Sequence, residues 1–224
     1  MNSIASFSRS VSFLLLALVL NGSANVWSED SPPARPLVIL IGPPLSGKTT
    51  FVAPIQRRYG IPGISIEDLI RDHATELKKM HPGSTSLAEM RFDPAMSRYV
   101  RARFEGMDLG RGAALDGFPA TQQQAEELAK MIADLKLNAI VLQLEIPDEE
   151  VRKRAATAGR QSDQPKIIEQ RLKDYHREFD MIAAYYPTAK IVKIDGTQSE
   201  NKMWQAIQQA LDKANLRPAG KAKK

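Results

Sequence analysis

One segment of the sequence has the residue types and the spacing of a phosphate-binding loop. Residues 42–49 read Gly-Pro-Pro-Leu-Ser-Gly-Lys-Thr and satisfy the pattern G-x-x-x-x-G-K-[ST]. The five apolar residues Leu37–Ile41 precede the loop and predict a buried strand, and an amphipathic helix is expected to begin at Lys48. In that context the backbone N–H groups of the loop can point at phosphate oxygens. Lys48 would add a positive charge near the outer phosphates, and the Thr49 hydroxyl can hold Mg²⁺.

The rest of the sequence alternates between short apolar runs and longer amphipathic ones, which is typical of a parallel sheet wrapped by helices. After the first strand, further strands are expected at Gly63–Ile66, Ala113–Asp116, Ala139–Glu145 and Lys190–Ile194. Helices are expected at Lys48–Tyr59, Asp68–Met80, Pro94–Met107, Gln122–Leu135, Asp148–Ala158, Pro165–Tyr185 and Ser199–Ala214. We therefore predict a three-layer α/β fold around one parallel sheet of about five strands.

The composition argues against several other kinds of site. The 224-residue chain contains no cysteine, which excludes disulfide scaffolds, thiolate zinc sites and cysteine nucleophiles. With three histidines, a metal centre built on imidazole ligands is not expected. The formal net charge is +5, and part of the excess lies in residues 217–224, which we interpret as a solvated basic tail. No nucleic-acid partner is therefore predicted.

The N-terminal segment is typical of a secretory signal peptide. Arg9 precedes a run from Val11 to Leu20 that is apolar apart from Ser12, and small and polar residues follow it. A membrane-spanning helix needs about 20 apolar residues, so this run is short for a span. We predict a signal peptide over residues 1–24, a linker over 25–36, export to the periplasm or the exterior, and no integral span after cleavage. A retained N-terminal membrane anchor, or a cytoplasmic protein in which the segment is not used, are the alternatives.

Three segments of the sequence, in order and at matching spacing, resemble the adenylate kinase family of nucleoside monophosphate kinases. They are Gly-Pro-Pro-Leu-Ser-Gly-Lys-Thr-Thr at 42–50, Tyr-Gly-Ile-Pro-Gly-Ile-Ser-Ile-Glu-Asp-Leu-Ile-Arg at 59–71, and Leu-Asp-Gly-Phe-Pro at 115–119. The segments 146–149, 159–160 and 171–175 continue the match. The short stretch between Arg154 and Arg171 is similar to that of the family's short-lid members.

The resemblance covers nearly all of the chain from Leu37 to the last predicted helix, and it implies a function for that region. Residues 37–216 would form a monomeric kinase domain with the phosphate-loop fold. The domain would use ATP and Mg²⁺ and transfer the γ-phosphoryl group of ATP to a nucleoside monophosphate, by resemblance AMP.

The resemblance also implies roles for individual residues in the ATP half of the site. Lys48 would contact the β- and γ-phosphates, and Asp116 would order the Mg²⁺ waters beside Thr49. Arg160 and Arg171 would close over the moving phosphoryl group and, with Lys48, stabilise its charge. The residues expected to bind ATP are Gly42, Leu45, Ser46, Gly47, Lys48, Thr49, Thr50 and Arg154, the last by stacking on the adenine.

In the acceptor half, the resemblance implies contacts from three residues. Arg71 would grip the acceptor phosphate with its forked guanidinium. Gly117 would line the acceptor site, and Gln124 would read the edge of the acceptor adenine.

The sequence departs from the family pattern mainly in the acceptor half. Family members carry an arginine directly after Asp-Gly-Phe-Pro, where this sequence has Ala120, and a Thr-Gly pair where it has Ile66-Glu67. Leu45 stands where relatives mostly carry glycine, and one lid arginine has no counterpart between residues 155 and 158. Two alternatives therefore stay open: a nucleotide-binding protein of this fold with little or no kinase activity, and a kinase for another small acceptor. A GTPase is not expected, because the Asn-Lys-x-Asp guanine motif is absent from the sequence.

Overall fold

A five-stranded parallel sheet forms the centre of the protein in a computed structural model that describes residues 35–80, 90–160, 163–186 and 190–219. The strands are β1 Arg35–Ile41, β2 Gly63–Ser65, β3 Ala113–Asp116, β4 Leu137–Glu145 and β5 Lys190–Asp195. Their order across the sheet is β2-β3-β1-β4-β5, and every neighbouring pair is parallel. The predicted α/β fold is therefore confirmed.

The helices follow the strands along the chain and cover the sheet. They are α1 Lys48–Tyr59, α2 Ile66–Asp72, α3 Ala74–Met80, α4 Met96–Glu105, α5 Gln122–Asp134, α6 Asp148–Ala158, α7 Pro165–Ala184 and α8 Glu200–Lys213. Within the described part of the chain no helix is long and apolar enough to cross a membrane.

Alternate residues of β1 pack into two different hydrophobic cores, which is why this strand is a continuous apolar run. Leu37 and Ile39 belong to a core that contains α4 and α5 residues, among them Phe104. Val38 and Leu40 belong to the other core, which is built largely from α1 and α8. Because complete burial of one such side chain contributes about 1.5–3 kcal/mol, β1 is anchored from both faces. The loop that follows β1 thus starts from one of the most firmly held parts of the fold.

Several boundaries differ from the prediction by one or two residues, and contacts distant in sequence explain two of the differences. Strands β1 and β4 both begin two residues early, since Arg35 pairs with Leu137. The helix predicted over residues 68–80 is divided into α2 and α3 at His73, whose ring stacks on Tyr99 at a centroid distance of 4.0 Å. Neither pairing is visible in a short window of sequence.

Several predicted segments lie outside the described residues. These are the signal peptide at 1–24, most of the linker at 25–36, and residues 220–224 of the basic tail. Those assignments stay predictions.

Candidate functional site

The candidate site lies where β1 and β3 end beside each other. The loop after β1 leads into α1, and Asp116 is the last residue of β3, paired in register with Leu40 of β1. Because the carboxyl ends of parallel strands meet at one edge of the sheet, loops there can share a ligand. The Thr49 hydroxyl donates a hydrogen bond of 2.9 Å to the Asp116 carboxylate. The structure thus brings together two residues that are 67 positions apart in sequence.

The loop is held in a conformation that only some residues tolerate. Gly42 has φ 154°, and a Cβ there would lie 2.5 Å from the Leu144 carbonyl oxygen of β4, so the close approach requires glycine. Gly47 has φ 89° and immediately precedes α1. Ser46 is fully buried, and the Thr50 N–H donates to the Gly47 carbonyl at 3.1 Å. The loop is therefore shaped by its own backbone before any ligand arrives.

Leu45 adopts a left-handed conformation, with φ 60°, that costs a residue with a Cβ about 1–2 kcal/mol. This is the position at which family members mostly carry glycine. Leu45 packs against a small buried cluster that includes Ile146 and Val151, and its carbonyl accepts a hydrogen bond of 3.0 Å from Arg154. These contacts offset the strain and explain how the loop accommodates a leucine.

Lys48 folds back over the loop. Its ammonium donates to the carbonyl oxygens of Gly42 and Pro43 at 2.8 and 2.9 Å and to the Ser46 hydroxyl at 3.4 Å. Burial of the ammonium lowers the pKa of Lys48 from 10.5 to about 8, although the negative charge of Asp116 opposes this shift. A phosphate placed against the loop would give this ammonium an anionic partner.

The lowered pKa of Lys48 predicts that ATP binding weakens in alkaline solution. Below pH 8 the side chain is positively charged and attracts phosphates, whereas above it the free protein increasingly carries a neutral amine. We expect a constant Kd for Mg–ATP between pH 6.5 and 8 and then a loss of affinity approaching tenfold per pH unit, by calorimetry. The Lys48→Arg variant should lose this dependence, because a guanidinium stays charged. A flat wild-type profile up to pH 10 would contradict the assignment.

Asp116 and Thr49 offer the oxygen ligands that suit Mg²⁺. The Asp116 side chain is buried, and burial raises the pKa of its carboxyl, while the charge of Lys48 works in the opposite direction. In the described residues no group of three or more acidic, histidine or cysteine side chains could hold a metal by itself. A Mg²⁺ ion at Asp116 and Thr49 would thus also need phosphate oxygens, the usual arrangement for this ion in nucleotide sites.

The two predicted lid arginines meet at one buried carboxylate. The Asp163 side chain, 2% exposed, lies 3.6 Å from Arg171 and 4.0 Å from Arg160. Arg171 reaches the site, since its charge is among the causes, after burial, that lower the pKa of Lys48. Arg160 is 72% exposed and lies at the rim. Arg171 therefore acts on Lys48 electrostatically, and Arg160 and Arg171 share the Asp163 carboxylate.

Arg154 of α6 connects three parts of the site through its guanidinium. It donates to the Glu150 carboxylate at 2.9 Å, to the Leu45 carbonyl at 3.0 Å and to the Gly196 carbonyl at 2.7 Å. Hydrogen bonds of a guanidinium lie in its plane, so stacking of an adenine on its face is compatible with all three. The structure thus gives Arg154 a positioning role for the loop that the sequence did not show.

The predicted acceptor residues have partners within the protein. Arg71 is 69% exposed and forms an ion pair with Asp68, one helical turn earlier. It lines a cavity of about 280 Å³ against β2, together with Arg103. Gly117 has φ 79°, and a Cβ there would lie 2.6 Å from the Ile66 side chain. The Asp68 partner engages only one nitrogen of the Arg71 guanidinium, which leaves further N–H donors for an acceptor phosphate.

Gln124 is completely buried and makes three hydrogen bonds through its side-chain amide. Its oxygen accepts from the Ala120 N–H at 2.7 Å, and its nitrogen donates to the carbonyl oxygens of Arg91 and Asp93 at 2.9 and 3.0 Å. To donate a hydrogen bond to an adenine, Gln124 would have to give up one of the two bonds that its nitrogen makes. Its role in base recognition stays a prediction.

Sequence reasoning missed Arg91 and identified Glu67 only as a departure from the family pattern. Burial and then the charge of Arg171 lower the pKa of Arg91, whereas the carboxylates of Asp116 and Glu67 act in the opposite direction. Glu67 is exposed, and it also acts on the pKa values of Lys48 and Asp116. Arg91 lies in none of the recognised motifs, so no local signal could have found it.

Comparisons with known proteins agree with this geometry. The family model described as adenylate kinase matches residues 40–191. An adenylate kinase of Micrococcus luteus is 35% identical over 189 residues, which cover 78% of this chain and 89% of that protein. Adenylate kinases of Corynebacterium urealyticum and Bacteroides thetaiotaomicron are 34% and 31% identical, and each match covers 79% of this chain and 99% and 98% of the relative, respectively. This chain therefore belongs to the adenylate kinase family and is a phosphotransferase enzyme.

Proposed function

We propose that this protein transfers the γ-phosphoryl group of Mg–ATP to AMP. The observation that carries the proposal is a group of three residues at the loop. Lys48 donates hydrogen bonds to the loop carbonyls, and Thr49 donates one to the buried Asp116 carboxylate. This arrangement supports the proposal because it brings a cation and two oxygen ligands together, as binding of phosphates and Mg²⁺ requires. The choice of AMP rests on relatives whose names specify adenylate kinases.

To catalyse phosphoryl transfer, a protein mainly has to position the two reactants and to neutralise the charge on the phosphoryl group. The loop N–H groups and Lys48 would bind the phosphates of ATP, and Arg171 would stabilise negative charge on the moving group. Mg²⁺, when bound by Asp116 and Thr49, neutralises charge on the phosphate oxygens. Movement of Arg160 toward Arg171 would exclude water, which otherwise would hydrolyse ATP.

A kinase for a different small acceptor is the second candidate, and one observation favours it. Glu67 stands where the family has a small residue. Its negative charge acts to raise the pKa values of Lys48 and Asp116. A carboxylate there would repel an acceptor phosphate and could accept a hydrogen bond from an acceptor hydroxyl or amine instead. The side chain at position 67 therefore makes acceptor choice the feature to test first.

The test is a phosphoryl-transfer assay on the full chain with Mg–ATP and, separately, AMP, CMP, UMP, GMP and dTMP. We expect ADP formation that requires AMP and is lost in the Lys48→Met variant. Transfer to a different monophosphate would keep the enzyme class and replace the acceptor. No transfer to any of the five, with ATP binding retained, would contradict the proposal and leave a kinase for a different small acceptor and a binding-only relative.

A further inference from the structure

We propose that Arg91 binds the acceptor phosphate in place of the arginine that family members carry after Asp-Gly-Phe-Pro, where this chain has Ala120. Arg91 comes from a different part of the chain, between α3 and α4. The inference rests on the proposed function, because it requires a phosphorylated acceptor in this site. It explains how the chain can lack one of the family's phosphate ligands and keep its site.

The backbone of Arg91 is tied directly to the position of the missing arginine. One buried amide, that of Gln124, accepts from the Ala120 N–H at 2.7 Å and donates to the Arg91 carbonyl at 2.9 Å. Residues 91 and 120 are therefore separated by a single side-chain amide. A second bond from the same amide, to the Asp93 carbonyl at 3.0 Å, fixes the turn that carries Arg91.

The guanidinium of Arg91 lies among the charges of the phosphoryl-transfer site. Arg171 lowers the pKa of Arg91, next in weight to burial, and Asp116 and Glu67 raise it. In turn, the charge of Arg91 is one of the causes, after burial and Asp116, that set the pKa of Lys48. Lys48, Arg171 and Arg91 are thus close enough to act on one another electrostatically, and the carboxylates of Asp116 and Glu67 offset only two of their three positive charges. The excess positive charge is stabilised when an anion binds among these groups.

Part of the Arg91 guanidinium is unsatisfied. Among the described residues, its buried Nε atom has no hydrogen-bond partner. A buried donor without a partner costs free energy, and native proteins retain such groups mainly where a ligand or function uses them. A phosphate oxygen would accept from this atom, and the planar fork of arginine suits phosphate better than the single ammonium of lysine does.

The test compares Arg91→Ala with Arg101→Ala, which removes the same kind of side chain from α4, where Arg101 forms an exposed ion pair with Asp134 of α5. Calorimetry on the full chain would measure the Kd of AMP and of Mg–ATP, and kinetics would separate KM from kcat. For Arg91→Ala we expect the Kd and KM of AMP to rise about 100-fold while the Kd of Mg–ATP changes less than threefold. Arg101→Ala should leave all of these unchanged. An AMP affinity within threefold of wild type in Arg91→Ala would overturn the inference.

The Arg91→Ala/Ala120→Arg double variant tests whether the two positions serve the same phosphate. We expect it to regain at least tenfold in AMP affinity over Arg91→Ala, a recovery that a purely structural role of Arg91 would not give. A folded double variant without recovery would contradict the inference. If Arg91→Ala does not fold, Arg91→Lys takes its place, with an expected loss of about tenfold in AMP affinity and the same rescue.

The wild-type protein distinguishes failure of this inference from failure of the proposed function. If it binds AMP but transfers no phosphoryl group, the proposed function fails, and the AMP affinities of the variants still decide the role of Arg91. If it binds none of the five monophosphates, the inference is overturned.

Discussion

Replacement of Lys48 by methionine is expected to lower the rate of phosphoryl transfer at least about a thousandfold. The change removes the positive charge that the loop carries toward the outer phosphates, and such a contact strengthens as charge develops in the transition state. A thousandfold corresponds to about 4 kcal/mol, within the range for loss of one preorganised group in a site shielded from water. Steady-state kinetics with saturating Mg–ATP and AMP would measure the effect.

The same Lys48→Met substitution should stabilise the folded protein at pH 7. Since burial lowers the pKa of Lys48 from 10.5 to about 8, folding below pH 8 requires burial of a charged ammonium. The unfolded chain binds more protons between pH 8 and 10.5, so wild-type stability rises with pH across that window and the penalty is complete below it. We expect Lys48→Met to be roughly 1–3 kcal/mol more stable at pH 7 by urea denaturation.

A matched control for Lys48→Met is Lys130→Met, which removes an exposed ammonium paired with Glu127. This variant should change neither rate nor stability appreciably, because exposed ion pairs contribute about 0–1 kcal/mol. Loss of stability in Lys48→Met, or near-normal transfer, would contradict the role assigned to the buried ammonium.

The Asp116→Asn variant is expected to lose about a hundred- to a thousandfold in kcat and to need more Mg²⁺. Asparagine keeps an oxygen that can accept the Thr49 hydroxyl bond of 2.9 Å, so the local geometry is preserved while the charge is lost. The charge is what attracts a divalent cation to this edge of the sheet. Titration of activity with Mg²⁺ should show a half-saturating concentration raised at least about tenfold.

Asp134→Asn is the matched control for Asp116→Asn, since it neutralises an exposed carboxylate paired with Arg101. It should leave both kcat and the Mg²⁺ requirement unchanged. If Asp116→Asn shows the wild-type Mg²⁺ requirement, Asp116 does not act on the metal, and its burial beside Lys48 has a different purpose.

Elements bounded by local signals could be predicted from the sequence to the residue. Helix α6 starts after Pro147 and ends at Gly159, which adopts the left-handed conformation that terminates helices. Helix α1 begins inside the phosphate loop and ends at Gly60 in the same way. Where a boundary depends on partners distant in sequence, as at the start of β1 and at His73, the observed boundary differs from the predicted one.

The ATP half of the candidate site was more predictable than the acceptor half for the same physical reason. The loop and Lys48 lie in one contiguous motif, and the structure shows Asp116 hydrogen-bonded to Thr49. The environment of Arg91 arises from a tertiary tether through Gln124, which is one of three consecutive glutamines. Tertiary contacts of that kind have no signature in a single sequence.

The measurement that tests the central claim most directly is the reverse reaction, with ADP and Mg²⁺ as the only small molecules supplied. Phosphorus NMR would follow the conversion of two ADP into one ATP and one AMP, with the Lys48→Met variant as control. We predict ATP and AMP in equal amounts with the wild-type protein and neither with the variant. Unchanged ADP, or inorganic phosphate without ATP, would contradict phosphoryl transfer between the two adenine nucleotides.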